Sequence, residues 1–267
     1  MPYISLGDFG LHVEQSGSGF PLVLISGVTG LAQQWRAQAP FLADSFSVVL
    51  HDQRGVGESD PGGAACSIEQ MAADVVALMD ALDIRRAHLV GHATGGSVAQ
   101  CIAIDHPKRI SALAIISGWA KPDAYFRRLF LNRRRILEGL GPLAFLENAS
   151  LNLFPADWIA ANDAALAVQE AQSAATFPGV ETMLHRIDAV LGFDRSAELS
   201  RIAAPTLVMT AADDAVVPLY LVEALTRAIP RAELKIFPSG GHGFSRLYPR
   251  EFCHAILPFL RAHTPAG

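Results

Sequence analysis

Eight residues restrict this chain more than any others: Leu89-Val90-Gly91-His92-Ala93-Thr94-Gly95-Gly96. An apolar, β-rich run from Ala87 to Val90 ends there, a tight turn follows, and helix-like text runs from Gly96 to His106. Glycines flank residue 93 on both sides, as a sharp turn requires where no side chain fits. The pattern departs from Gly-x-Ser-x-Gly at one position, where alanine stands in place of serine. Such a turn lifts residue 93 above the strand ends and against a helix N-terminus, whose free N–H groups can hold a developing negative charge.

Other apolar runs extend the pattern. Leu22 to Ile25, Ser47 to Leu50 and Ser111 to Ile116 read as strands, and Ser67 to Leu82 reads as a helix between two of them. Strands that alternate with helices predict a parallel sheet covered on both faces. After Trp119 the text changes, and residues 121–197 read as helical without clear strand runs. Strand text returns at Thr206 to Met209 and Glu233 to Phe237, with a helix from Leu219 to Ala228 between them. The reading is one α/β core over residues 1–120 and 198–267, with a helical cap inserted over 121–197. A chain of 267 residues can bury a full core.

Two loops complete the chemistry. Thr210-Ala-Ala-Asp213-Asp214-Ala-Val-Val-Pro218 follows one strand, and Ser239-Gly-Gly-His242-Gly follows the next. A carboxylate and then an imidazole, each after a strand, give the chain order nucleophile, acid, base. His242 is the expected general base. Asp214, next to the Ala-Val-Val-Pro turn, is the expected acid that fixes its tautomer, and Asp213 is the competing choice. The expected oxyanion donors are the N–H of Thr94 and, in Ser26-Gly-Val28-Thr-Gly30 after the first core strand, the N–H of Val28.

With these residues in place, the whole chain resembles α/β hydrolases of the 3-oxoadipate enol-lactonase type. Ser26-Gly27 before Trp35, His51-Asp-Gln-Arg-Gly55-Val-Gly57-Glu-Ser59, and the elbow, acid and histidine loops carry the likeness. It is also similar to the pyrimidine-utilisation hydrolases assigned to aminoacrylate or carbamate. The matching text there is Ser67-Ile-Glu-Gln-Met71-Ala-Ala, Gly118-Trp119 and Pro155-Ala-Asp-Trp158. The resemblance implies the α/β-hydrolase fold and hydrolysis of a small ester, enol-lactone or amide-like C–N bond, without metal or organic cofactor.

Alanine has no nucleophilic atom, so an acyl-enzyme cannot form on residue 93. Three readings remain open. Ala93 replaces a serine in a trapped form of the enzyme. Alternatively, Ala93 is native and His242 activates water. In the third, the scaffold serves a non-hydrolytic role, as a cofactor-free oxygenase using His242 and Asp214 or as a ligand-binding protein.

Trp119 opens the cap and is a candidate pocket residue. Five arginines, 127, 128, 133, 134 and 135, share one predicted cap helix, and helical spacing turns most of them to solvent. Arg127 or Arg128 is the expected ligand of a substrate carboxylate. His92 is read as packing beside the elbow, and Arg54 as a tie between loops. The histidines lack metal-ligand spacing. The net charge of -5 disfavours nucleic acid as a partner. No apolar run reaches the roughly 18 residues of a membrane span. Three scattered cysteines fit reduced thiols in a cytoplasmic protein that acts on a small molecule.

Overall fold

The computed structural model describes residues 3–63 and 66–265. Eight strands form one sheet: β1 (Tyr3–Ser5), β2 (Gly10–Ser16), β3 (Phe20–Ile25), β4 (Phe46–His51), β5 (Ala87–His92), β6 (Ile110–Ile116), β7 (Thr206–Ala211) and β8 (Ala232–Phe237). Their order is β1-β2-β4-β3-β5-β6-β7-β8. The pairs β1–β2 and β2–β4 are antiparallel, and every later pair is parallel.

Alternation along each strand builds two cores. Leu22, Leu24, Val48 and Leu50 face one side, with Leu42 of α1 (Ala39–Ala43), Phe244 of α8 (Phe244–Leu247) and Phe252, Ile256 and Leu260 of α9 (Pro249–Ala262). Val23, Ile25, Val49 and Leu89 face the other side. There they meet α2 (Ile68–Ala81), α3 (Thr94–Asp105) and α7 (Leu219–Ala228). Successive side chains on a strand point to opposite faces, so a strand covered on both sides is apolar throughout. The six strands read from sequence are the six of the parallel region. The hairpin of β1 and β2 was not legible: its outer residues are exposed and mixed with polar ones. The Ser67 hydroxyl starts α2 by accepting the Gln70 N–H at 3.0 Å.

Between β6 and β7 stand α4 (Ala124–Leu153), α5 (Ala156–Ala175) and α6 (Val180–Gly192). The helix α4 breaks at Gly141, where φ is 84° and Pro142 follows. Phe126, Phe130 and Leu137 of α4 and Met183, Ile187 and Val190 of α6 join the core on the α2–α3 side of the sheet. The insertion is therefore seated on the sheet's own core. No helix among the described residues is long and apolar enough to cross a membrane.

Candidate active site

The end of β5 turns into α3 through Ala93, whose backbone is at φ 50° and ψ −112°. Positive φ in a residue with a Cβ costs about 1–3 kcal/mol and persists only where the surroundings impose it. Here they do. The Ala93 N–H donates to Ile116 O at 2.8 Å, and Ala93 O accepts from Gly96 N–H at 2.8 Å. A Cβ on Gly95 would lie 2.7 Å from Ser26 O, and one on Gly91 would lie 2.6 Å from Gly96 N. The two glycines allow the helix start to press against both its own strand and the loop after β3.

His242 and Asp214 meet at this turn. The His242 Nδ1 is 2.9 Å from Asp214 Oδ2 and 3.1 Å from Oδ1. The N–H groups of Val216 and Val217 donate to Asp214 Oδ1 at 2.9 and 2.8 Å. Burial by itself would raise the Asp214 carboxyl. The neighbouring His242 charge, the His242 hydrogen bond and the Val217 N–H outweigh it and hold the carboxyl below its ordinary value. Asp213 points elsewhere, accepting the N–H groups of Gly240 and Gly241 at 3.1 and 2.9 Å. It shapes the histidine loop, while Asp214 holds the ring. Two adjacent aspartates cannot be told apart by spacing, and only their opposite orientations separate them.

His92 packs beside the turn as expected. Its Nε2 meets His242 O at 3.0 Å, and its ring centroid lies 4.7 Å from that of His242. Burial, with the nearby His242 charge, lowers its pKa to about 3, so it stays neutral. Arg54 is structural, but it ties its loop to α2 and not to another loop, donating to Asp74 Oδ2 at 2.9 Å and Oδ1 at 2.6 Å.

The loop after β3 is held at each end. Gly27 N–H donates to Gln34 Oε1 at 2.8 Å, and Gln53 Nε2 donates to Ser26 O at 2.9 Å. Val28 N–H has no acceptor within the described residues. Thr94 is the first residue of α3, where an N–H has no partner in the helix. These are the two donors read from sequence, and the contact of Gly95 with Ile25 and Ser26 brings their segments together.

The cap residues differ in burial. Arg127 and Arg128 are both exposed, on the outer face of α4. Arg133 is the buried one, at 4% exposure. Its Nε and Nη2 have no hydrogen-bond partner among the described residues, and its Cζ lies 5.3 Å from the Phe130 ring centroid. Burial lowers its pKa to about 10, opposed by the fields of Tyr125 and Asp214, so it is a cation at neutral pH. The signal was present in the sequence: Phe126, Phe130 and Leu137 mark an apolar stripe, and residue 133 falls on it. Trp119 is 1% exposed and packs on Phe126, ring centroids 4.6 Å apart, with its indole N–H unpartnered. It belongs to the floor under the insertion. Arg186 of α6, also wholly buried, was not anticipated at all. No cluster of three or more His, Cys, Asp or Glu capable of holding a metal occurs among the described residues.

The profile of the alpha/beta hydrolase fold matches residues 21–245. RutD of Azorhizobium caulinodans, named provisionally as a carbamate hydrolase, is 41% identical over 259 residues, covering 97% of this chain and 98% of the relative. The enol-lactonase of Burkholderia xenovorans superposes with a TM-score of 0.88 over 97% of this chain and 100% of its own, at 24% identity. A malate-bound thermophilic esterase from Thermogutta terrifontis superposes with a TM-score of 0.84 over 96% of this chain and 95% of its own, at 27% identity. With the mostly parallel sheet, the strained turn after β5 and the His242–Asp214 pair, these matches place the chain in the α/β-hydrolase family, as an enzyme of the hydrolase fold related to the RutD proteins.

Proposed function

We propose that the chain hydrolyses a small, carboxylate-bearing ester, lactone or carbamate-like substrate, with water activated by His242. One observation carries the reading. The His242–Asp214 pair is formed next to His92 of the turn, no acceptor for the Val28 N–H is found among the described residues, Thr94 opens α3, and none of these features needs a side chain at position 93. With Nδ1 facing Asp214, Nε2 is the ring nitrogen left for the reaction. Nε2 takes a proton from water, and the hydroxide adds to the carbonyl carbon. The oxyanion turns to the Val28 and Thr94 N–H groups. Collapse breaks the bond to the leaving group, which receives the proton from His242. Asp214 stays ionised and stabilises the imidazolium between the two transfers.

Arg133 gives the substrate its charge. A buried guanidinium with two unpartnered nitrogens leaves donors in a planar fork that a carboxylate satisfies bidentately. The names of the relatives are consistent with a small acyl substrate: a carbamate for the RutD proteins, and an esterase seen with malate, itself a carboxylate.

The test is hydrolysis of p-nitrophenyl acetate, an enol-lactone and a carbamate by the chain as it stands, by His242→Asn and by Ala93→Ser. The Ala93 chain is expected to exceed the uncatalysed rate by about 10³-fold or more on at least one substrate, and to lose this with His242→Asn. Serine is expected to add a burst of p-nitrophenol without being needed for the carbamate. An inert Ala93 chain restored by serine would make Ala93 a disabled nucleophile and sink the water route.

A further inference from the structure

Arg186 takes no part in the reaction proposed above, yet it is 1% exposed and has no carboxylate partner among the described residues. Its Nε donates to Val28 O at 2.6 Å, and its Nη2 donates to Gln53 Oε1. Burying a cation against neutral oxygens is costly, and the fold retains it here. Burial lowers its pKa only to about 10, so the charge persists at neutral pH.

What it touches explains the cost. Gly30 N–H donates to Gly27 O at 3.0 Å, closing a turn with Val28 and Thr29 at its centre. The flanking groups are held by the core: Ser26 O by Gln53, Gly27 N–H by Gln34, and Gly30 O by Gln53 N–H at 2.8 Å. The central peptide, Val28 C=O with Thr29 N–H, has no partner in the core. The two common turn types differ by a flip of this central peptide, and little else in the chain opposes that flip. Arg186 opposes it, from a helix of the insertion 158 residues away. The fit is close, since a Cβ on Gly30, at φ 73°, would lie 2.6 Å from Arg186 Nη2. The same Gln53 that receives Arg186 holds Ser26 O, so one chain of hydrogen bonds runs from α6 through Gln53 to the start of the loop.

We propose that Arg186 is a positioning residue: from the helical insertion it fixes the Val28–Thr29 peptide, and through it the aim of the Val28 N–H at the oxyanion. The proposal rests on the reading of Val28 as an oxyanion donor. Because the donor loop is tied to the insertion, α6 must be seated for the donor to be aimed. The insertion then sets the rate of the chemistry as well as covering the site.

Two measurements test it. The first uses Ala93→Ser, alone and combined with Arg186→Met or Arg186→Lys, on p-nitrophenyl acetate and its thiono analogue. These neutral esters do not call on Arg133. Loss of one oxyanion donor costs about 10²–10³-fold in kcat, so the methionine variant is expected to fall about 10²-fold with KM within threefold. Lysine, which keeps the charge but reaches one oxygen instead of two, recovers part of the loss. The preference for C=O over C=S, which reports oxyanion geometry, shrinks in the methionine variant. If kcat and that preference hold while only Tm falls, Arg186 merely staples the insertion and the proposal is overturned.

The second measurement is independent of activity and uses the chain with Ala93 in place. Amide hydrogen exchange is followed with Arg186 present and in Arg186→Lys, which keeps the buried charge if methionine does not fold. Faster exchange confined to residues 26–30 supports the proposal. Exchange unchanged there, or raised throughout the protein, overturns it. If Ala93→Ser hydrolyses neither ester, the hydrolytic reading has failed, and the exchange result alone decides whether Arg186 holds the loop.

Discussion

Charged groups are treated differently at the strand ends and in the helical insertion. At the strand ends the carboxylates are each met by several donors: buried Asp214 by His242, Val216 and Val217, and exposed Asp213 by Gly240 and Gly241. In the insertion, Arg186 is answered by a backbone carbonyl and an amide, and Arg133 has two nitrogens with no partner among the described residues. A fully satisfied network rigidifies, and an unsatisfied buried charge costs stability until a ligand supplies its partner. The strand ends are thus built for fixed chemistry. On the proposed reading, the insertion carries the cost of recognition in advance.

The largest expected effect bears on the strand ends. In an Ala93→Ser background, Asp214→Asn should lower kcat for p-nitrophenyl acetate by about 10⁴-fold, because the His242 tautomer is no longer fixed. Asp213→Asn should change it less than about tenfold, since that carboxylate only shapes the Gly240–Gly241 segment. Equal losses would erase the distinction between the two aspartates.

Next comes the insertion. Arg133→Met should raise KM for a carboxylate-bearing ester by about 10–100-fold, the value of a charge-assisted pair of roughly 1.5–3 kcal/mol. A neutral ester should be unaffected, and Arg127→Ala with Arg128→Ala should leave both substrates within twofold. If the exposed pair moved KM and Arg133 did not, the carboxylate site would be on the outer face of α4. The same Arg133→Met variant sharpens the contrast in stability. Removing an uncompensated buried charge should raise Tm by about 2–4 °C, the equivalent of about 1 kcal/mol in a chain of this size. A large fall in Tm would mean that Arg133 is a structural group.

The smallest effect is in pH. Burial lowers His51 to about 4 and His92 to about 3, both below the ordinary value of 6.5. Below pH 6.5 the unfolded chain takes up these protons and the folded chain does not, so stability falls as pH drops from 6.5 toward 4. Asp214, held low, adds its own loss only further down, as pH falls through its folded value. Thermal melts from pH 7.5 to 4.5 should show Tm nearly level down to about pH 6.5 and declining below it, and His92→Gln should flatten the curve. A Tm that rises on acidification would contradict the neutral, buried state of these rings.

How much could be read in advance follows the same division. The turn around Ala93 was legible because Gly91, Gly95 and Gly96 are local requirements of one sharp bend. The parallel strands were legible because burial on both faces leaves continuous apolar runs such as Ser111 to Ile116. The edge hairpin of β1 and β2 escaped because exposed, mixed strands carry neither signal. Among the arginines of α4, spacing alone did not show that residue 133 is the buried one while 127 and 128 are exposed. Helical spacing alone turns most of these arginines to solvent, and the apolar stripe of Phe126, Phe130 and Leu137 is what carries residue 133 inward.

The sequence by itself determined the six parallel strands, the order of turn, acid and base along the chain, and the absence of any nucleophilic atom at residue 93. These are properties of short segments, written in glycine spacing and apolar periodicity. The tertiary structure decided which aspartate turns to His242, which arginine is buried, and that Arg186 reaches across to Val28. Those depend on the packing of segments far apart in the chain, where a rotation of one residue along a helix moves a side chain from solvent to the interior.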